Sequence, residues 1–582
     1  MRFVLALVTF VVAAALIAFG IAQRTVLKPA DHVTVSAAAP KDVRYVVIPG
    51  AVLKAHPGVQ RLHLAGSGTA FAAYGRTADV TAWLSGQRYA TVRVGGDGSV
   101  QPADVRTAPV VAGLRGGHPD PNGSDLWIDQ QRAPGGLDWT VNVPDSLSLL
   151  VAADGTAPAP STVTVSWPVR SSTPLATPMI VTGSVLALLG LLLYIWALVH
   201  LRRRRGPRRK PPQRMPKPPA PPKYRPARPA VVVAPKGRRS VRRLSALTVG
   251  LATGAVLLTG CQGPVAAAPA PTSTSTKAAP VTPAAVTEQQ ADRIVANAAA
   301  VEQTADASLT PATLGARFAG AALALRTAVY TVKKKAKSTP LPEAIPGSGA
   351  DIRVVLPEAT QAWPRTLFAV VTAPAGAKRA PVALTLVQAT PRDPYRVQFE
   401  TALVPSGTLP LLPSALLGAA RLKPDTGLLS VAPGALAADY GLLLRKAHAP
   451  IASAFATTDD PLLKKVGESA KAQVVQSLGS TATITFKDAL PDPASVIAMA
   501  TADSGAIVAV PLQETWTVTP SKKGVKVKPS GATLILANTT SSTKGIASTY
   551  GYQLLFSVPP AGSKDPVRLL GYAQGLISAK EL

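Results

Sequence analysis

The sequence predicts a membrane-anchored multidomain protein with an all-β, sandwich-like N-terminal region and an α+β C-terminal region. Three observations predict it. Residues 3–22 and 179–199 are apolar runs of about the length that crosses a bilayer. Between them, residues 25–178 alternate short β-rich runs with turn clusters. Residues 284–582 read as helices followed by strands, and the order then repeats.

The first run follows only Met1 and Arg2, and its far flank, Ile21-Ala22-Gln23-Arg24, is a poor cleavage site, so it reads as an uncleaved anchor. The second ends on Tyr194 and Trp196 and is followed at once by Arg202, Arg203, Arg204 and Arg205. An aromatic belt followed by dense positive charge is a stop-transfer signature, which puts residues 201–243 in the cytoplasm and residues 25–178 outside. Arg24 and Lys28 pull mildly the other way.

In the outer region the expected strands are 43–48, 89–94, 137–143, 147–152 and 162–167, separated by turns such as Gly95-Gly96-Asp97-Gly98. No long helical periodicity interrupts them, and the pattern fits a small antiparallel sandwich.

Net basicity, 61 Lys and Arg against 31 Asp and Glu, is concentrated rather than spread: 17 of those cations lie in residues 202–243, where no acid occurs. That stretch is Pro-rich and carries one aromatic, Tyr224. Nucleic-acid binding wants cations interleaved with aromatics on a folded face, so the segment reads instead as an extended linker that meets anionic lipid.

Lys236, Arg238, Arg239, Arg242 and Arg243 then lead into a short apolar run, residues 244–260, which closes on Leu258-Thr259-Gly260-Cys261. This resembles a bacterial lipoprotein signal, with Leu258, Thr259 and Gly260 as the lipobox and Cys261, the sole cysteine, as the lipidated residue. An ordinary third transmembrane helix is the alternative. The position departs from the pattern, because such signals open a chain and this one is internal. Residues 262–283 are almost wholly Ala, Pro, Thr and Ser, a composition unable to bury a core and suited to a tether.

In residues 284–582, Thr287 and Gln290 have capping-box spacing, and Thr310-Pro311 opens a second helix carrying Leu314, Phe318, Ala321, Leu325 and Val329 on one face. Strands at 352–356, 366–372, 382–388 and 395–403 follow. A helix at 433–444 and one capped by Asp460-Pro461 and running to about 476 start the second round, with strands at 481–486, 506–510, 514–519, 524–528, 532–537, 550–558 and 567–576. The repetition suggests two helix-on-curved-sheet half-domains, similar to the nuclear-transport-factor or cystatin-like cone. The lipobox, the tether and the segments spanning residues 320–330 and 388–395 resemble cell-envelope proteins of high-GC actinobacteria, over roughly residues 244–582. That resemblance implies a location and brings no activity.

Chemistry is hard to find. His56 and His63 flank a Pro57-Gly58 turn, and H-E-x-x-H and G-x-S-x-G are absent. Ser541 and Lys544 fit S-x-x-K but sit in a Ser/Thr-rich loop without companion motifs. Asp120, Asn122 and Ser124 loosely resemble the start of a calcium loop and read better as a turn; Asp459 and Asp460 are adjacent rather than D-x-D, with Asp460 a helix cap. Trp83, Trp127, Trp139, Trp363 and Trp516 read as core. No catalytic, cofactor or metal residue is nominated. The expectation is therefore a non-enzymatic envelope protein whose outer regions bind a protein, lipid or glycan partner. An extracytoplasmic enzyme of cell-wall metabolism is the alternative, and signal transmission through the basic linker a third. A greasy cavity would favour lipid carriage, and converging carboxylates of shifted pKa an enzyme.

Overall fold

The computed structural model describes residues 2–28, 30–94, 100–101, 104–114, 116–169, 173–203, 282–347 and 349–582. Leu258, Thr259, Gly260 and Cys261, and with them most of the basic linker, the short apolar run and the tether, lie outside the described residues. The chain forms two compact units, residues 1–28 with 173–280 and residues 29–172 with 281–582.

The first unit is a helix pair. Helix α1 (Arg2–Arg24) packs on a second apolar helix, Ala176–Arg203, through small residues at seven-residue spacing. Ala6 and Ala13 are buried on one helix, and Ala176, Gly183, Gly190 and Ala197 on the other. A Cβ at Gly20 would stand 2.7 Å from Ile180 Cγ1, and one at Gly183 2.7 Å from Ile17 Cγ1. Only glycine lets these backbones approach so closely. The remaining faces expose Leu5, Leu7, Val8, Val11, Val185, Leu188 and Leu192, and both helices are long and apolar enough to cross a membrane.

The second unit begins with β1 (His32–Ala38), β2 (Tyr45–Pro49), β3 (Gln60–Arg76), helix α2 (Thr77–Trp83), β4 (Arg88–Thr91), β5 (Val105–Thr107), β6 (Asp129–Val141), β7 (Leu147–Ala152) and β8 (Thr162–Pro168). They form one sheet in the order β1-β8-β3-β7-β2-β4-β5, with β6 also on β3, curled into a half-barrel. The long β3 causes the curl: β6 runs along one edge, while β8 takes its first half and β7 its second, across an irregularity between Ala65 and Thr69. The expected β-rich region is present, but it also holds helix α2, and a single curled sheet containing a parallel β2–β4 pair replaces the sandwich. One face buries Ile48, Leu62, Leu64, Leu149, Val151 and Trp167, and the other Tyr45, Phe71, Trp83, Trp127 and Leu150.

The helix pair's second member, Ala176–Arg203, is α3 in chain order. The C-terminal region then contributes α4 (Glu288–Ser308), α5 (Gly320–Lys335), β9 (Asp351–Pro357), β10 (Arg365–Thr372), β11 (Val382–Gln388), β12 (Arg396–Leu403), β13 (Arg421–Leu422), α6 (Leu436–Arg445), α7 (Glu468–Leu478), β14 (Ala482–Ala489), β15 (Ile497–Ala500), β16 (Ala506–Pro520), β17 (Ile546–Val558) and β18 (Arg568–Glu581). The α+β expectation holds. The two rounds of elements share one antiparallel sheet, β9-β10-β11-β12-β18-β17-β16-β15-β13 with β14 on β16, joined across a narrow β12–β18 seam at Ala402↔Tyr572 and Leu403↔Gly571.

Alternation along the strands builds three cores. Leu367, Ala369 and Val371 of β10 pack under α4 and α5, and Val508, Val510 and Leu512 of β16 under α6. The intervening Phe368, Val370, Ile507 and Ala509 meet in a shared core with Leu356, Phe399, Met499, Leu555 and Leu570. The halves therefore pack sheet against sheet, helices outermost.

Several local expectations change. Thr310-Pro311 starts one turn only, Pro311–Leu314, and the helix restarts at Gly320, whose φ of +54° no β-branched residue would take comfortably. Asp460 caps Pro461–Val466, but the helix breaks at Gly467 before α7. Residues 532–537, expected as a strand, lie in helix Gly531–Ala537, packed on α5 and β18, and residues 524–528 are not a strand.

Candidate functional site

Helix α4 starts where its sequence says it should. Thr287 Oγ1 accepts the Gln290 N–H at 3.2 Å, and Gln290 Oε1 accepts the Thr287 N–H at 3.0 Å, completing the capping box. From that start, Glu288, Asp292, Val295, Ala299, Glu302 and Asp306 recur at helical spacing on the wall of a cleft of about 880 Å³. Strand β9 and the loop before it form the opposite wall, with Ile345, Asp351, Ile352, Arg353 and Val355. The register shift between Ile352 and Val354 makes Arg353 the bulged residue there. Arg379, at the rim, is held by Glu343 at 2.5 Å. Acids outnumber cations along this lining, which also carries apolar side chains such as Val295, Ile345 and Val371.

Glu302 and Asp306 of this lining belong to a charge cluster. Arg326, on α5 and almost wholly buried, is paired with Glu302, with Asp306 at 2.8 Å and with Glu400 of β12 at 3.1 Å, and donates to the Glu343 carbonyl at 2.8 Å. Tyr330 donates to Asp306 at 2.5 Å. Three carboxylates face one guanidinium. Burial, and then the Glu400 charge, push Glu302 well above the usual carboxylate range against the pull of Arg326; burial raises Glu400 as well. Both carboxyls therefore hold their protons to higher pH than isolated glutamates do. Burial lowers Arg326, but its carboxylates more than reverse this and hold it charged.

A second construction lies where the β region meets the C-terminal region. Arg76, the last residue of β3, donates to the carbonyls of Ala284 and Ala285, both at 2.5 Å, and to Asp79 at 2.8 Å. Arg365, fully buried on β10, reaches Asp79 at 2.7 Å and lies 3.7 Å over the Trp363 ring. Asp125 accepts Arg317 at 2.6 Å and the Tyr395 N–H at 2.8 Å. Gln290, while capping α4, donates to the carbonyls of Asp125 and Leu126. Arg293 donates to those of Trp127 and Ile128, and Arg392 to those of Trp83 and Ser85. The guanidiniums thus close carbonyls that the β region leaves at its loop ends, and two buried aspartates fix the register. In the second half, Lys471 pairs with the fully buried Glu514 at 3.2 Å, below Trp516, and burial lowers the lysine despite that partner.

The residues singled out from the sequence are placed as follows. Asp120 makes an Asx turn to the Asn122 N–H at 3.0 Å and pairs with Arg132, while Ser124 accepts the Leu126 N–H; they act as turn residues. Near Ser541 and Lys544, it is the Ser542 hydroxyl that shapes the loop, accepting the N–H groups of Lys544 and Gly545. Asp460 accepts the N–H groups of Leu462 and Leu463 and so caps its helix. Trp83 and Trp127 are core, whereas Trp139, Trp363 and Trp516 are half-buried. His63 pairs with Asp138 at 2.9 Å, and His56 packs on Trp167. Among the described residues no group of three His, Cys, Asp or Glu side chains is placed to hold a metal ion. The sequence marks the cleft residues only by the acidic stripe of α4, Glu288, Asp292, Glu302 and Asp306.

No curated protein and no solved structure matches this chain. Residues 281–581, the whole C-terminal region with its cleft and its side of the arginine contacts, match one family, and the chain belongs to it: the family described as a domain of unknown function, DUF8094.

Proposed function

We propose that this is a non-enzymatic, membrane-anchored binding protein of the cell envelope, whose two soluble regions share the outer side of the membrane and whose α4–β9 cleft receives a polar partner bearing cationic groups. The observation that carries the binding reading is the cleft itself. An acid-lined cavity of about 880 Å³ suits a basic peptide or an amine-bearing glycan better than a lipid chain. Anchoring is supported by the α1–α3 pair, whose large apolar side chains are exposed rather than packed into a core.

The contacts of Arg76, Arg293, Arg317, Arg365 and Arg392 support a shared compartment, because regions that bury side chains in one another occupy the same side. If α3 carries the chain inward, residues 204–281 must bring it back. The run at 244–260 ending on Cys261 supplies that return, as a third span or as a lipoprotein signal.

An oligolysine peptide is expected to bind the detergent-solubilised protein, and the Asp292→Asn/Glu288→Gln variant to weaken it at least tenfold; equal affinity for both would sink the cleft reading. Asp145→Cys and Lys465→Cys, each compared with its parent, are both expected to react with a membrane-impermeant maleimide on intact spheroplasts, and labelling of one alone would refute the topology. The second reading, an extracytoplasmic enzyme of cell-wall metabolism, draws its support from Glu302, a cleft-lining carboxyl raised by burial and by the neighbouring Glu400 charge.

A further inference from the structure

We infer that the two soluble regions form a complex that does not need the chain between them: residues 30–169 are a docking partner for the family domain, and the two stay together when residues 204–281 are cut. One compact unit is built from segments separated by more than a hundred residues that belong to the other unit. The adhesion is specific in its chemistry. From the family domain, Gln290, Arg293 and Arg392 reach backbone carbonyls at 83–85 and 125–128. Arg317 and Arg365 reach Asp125 and Asp79, whose side chains are almost wholly buried. Arg76 returns the contact to the carbonyls of Ala284 and Ala285, just before α4.

Buried guanidinium–carboxylate pairs inside a surface that also sinks Trp83 and Trp127 resemble the centre of a stable protein–protein interface, aromatic and arginine-rich. Separating the regions would take from Asp125 both of its side-chain partners, Arg317 and the Tyr395 N–H, and from Arg365 its one carboxylate, Asp79, which makes dissociation slow. The partner that this face of the family domain fits is thus a β-rich module offering strand-end carbonyls and two aspartates about forty-six positions apart, Asp79 and Asp125. Processing before Cys261 would then give a two-chain protein held without a covalent link.

The test uses the full chain, tagged at its N-terminus, with a specific protease site inserted between Ala270 and Lys277, beyond Cys261. After solubilisation in mild detergent and complete cleavage, capture on the tag is expected to retain the C-terminal fragment. The Arg293→Ala/Arg317→Ala/Arg392→Ala variant is expected to lose at least nine-tenths of it, and Lys465→Ala none. Thermal melting of each released fragment checks that it is folded. Release by cleavage alone, or full retention by the folded triple variant, would overturn the inference. Because capture is done in detergent, it is independent of the membrane and cleft readings.

Discussion

Asp79 shows how much a single side chain can hold. It is almost wholly buried, paired with Arg76 at 2.8 Å and with Arg365 at 2.7 Å. Asp79→Ala strands a fully buried guanidinium, and removing one partner of a buried pair costs about 3–5 kcal/mol. We expect Asp79→Ala to lower the unfolding free energy by that order, read by urea denaturation, with Asp138→Ala as an exposed control that stays near the parent. Glu302 makes a different prediction. Above the ordinary glutamate value of 4.5, Glu302 and Glu400 bind more proton folded than unfolded. Stability from this pair is therefore full at the acid end and falls as pH climbs through the raised value. Glu302→Gln, which keeps the shape and removes the titration, should flatten that slope in thermal melts; an unchanged slope would mean that Glu302 ionises normally.

At the scale of elements, α4 does three jobs from one sequence: Thr287 and Gln290 cap it, Gln290 and Arg293 dock it, and Glu288 to Asp306 line the cleft. Thr287→Ala should cost about 1 kcal/mol, the usual worth of a cap. Gln290→Ala should cost more, since it loses the cap and two inter-region bonds, and melting curves of the two variants order them. The α1–α3 pair depends on its glycines. Gly183→Leu would drive a side chain into Ile17 Cγ1 and the Ala13 carbonyl, 2.7 and 3.0 Å from where a Cβ would sit. Crosslinking between cysteines at Phe10 and Gly190, close across the pair, should fall severalfold in that variant. The small-residue spacing is not part of the sequence reading, because its meaning depends on a partner helix to face. By contrast, β3 leaves no strand signal in the sequence although it is the longest strand among the described residues, because its run of Ala and Gly holds Thr69 as its one β-branched residue. Helix Gly531–Ala537 misread in the opposite direction: its apolar run suits either state, and packing against α5 and β18 decides it.

For the whole molecule, the linear order of two apolar helices, a β region and an α+β region conceals that the β region and the C-terminal region are one body. The sequence by itself determined what depends on neighbours along the chain: the apolar lengths and flanking charges of α1 and α3, the capping box of α4, the cap at Asp460 and the turn at Asp120. Each rests on a period, a composition or a contact within a few residues. Tertiary structure alone decided the single ten-stranded sheet, the shared core between its halves, the Arg326 cluster and the arginine contacts. Their partners lie 74 positions apart for Arg326 and Glu400, and 286 for Arg365 and Asp79. A charge at such a distance leaves no local periodicity, and burial, which turns these pairs from surface charges into fixed points, exists only once the chain has folded.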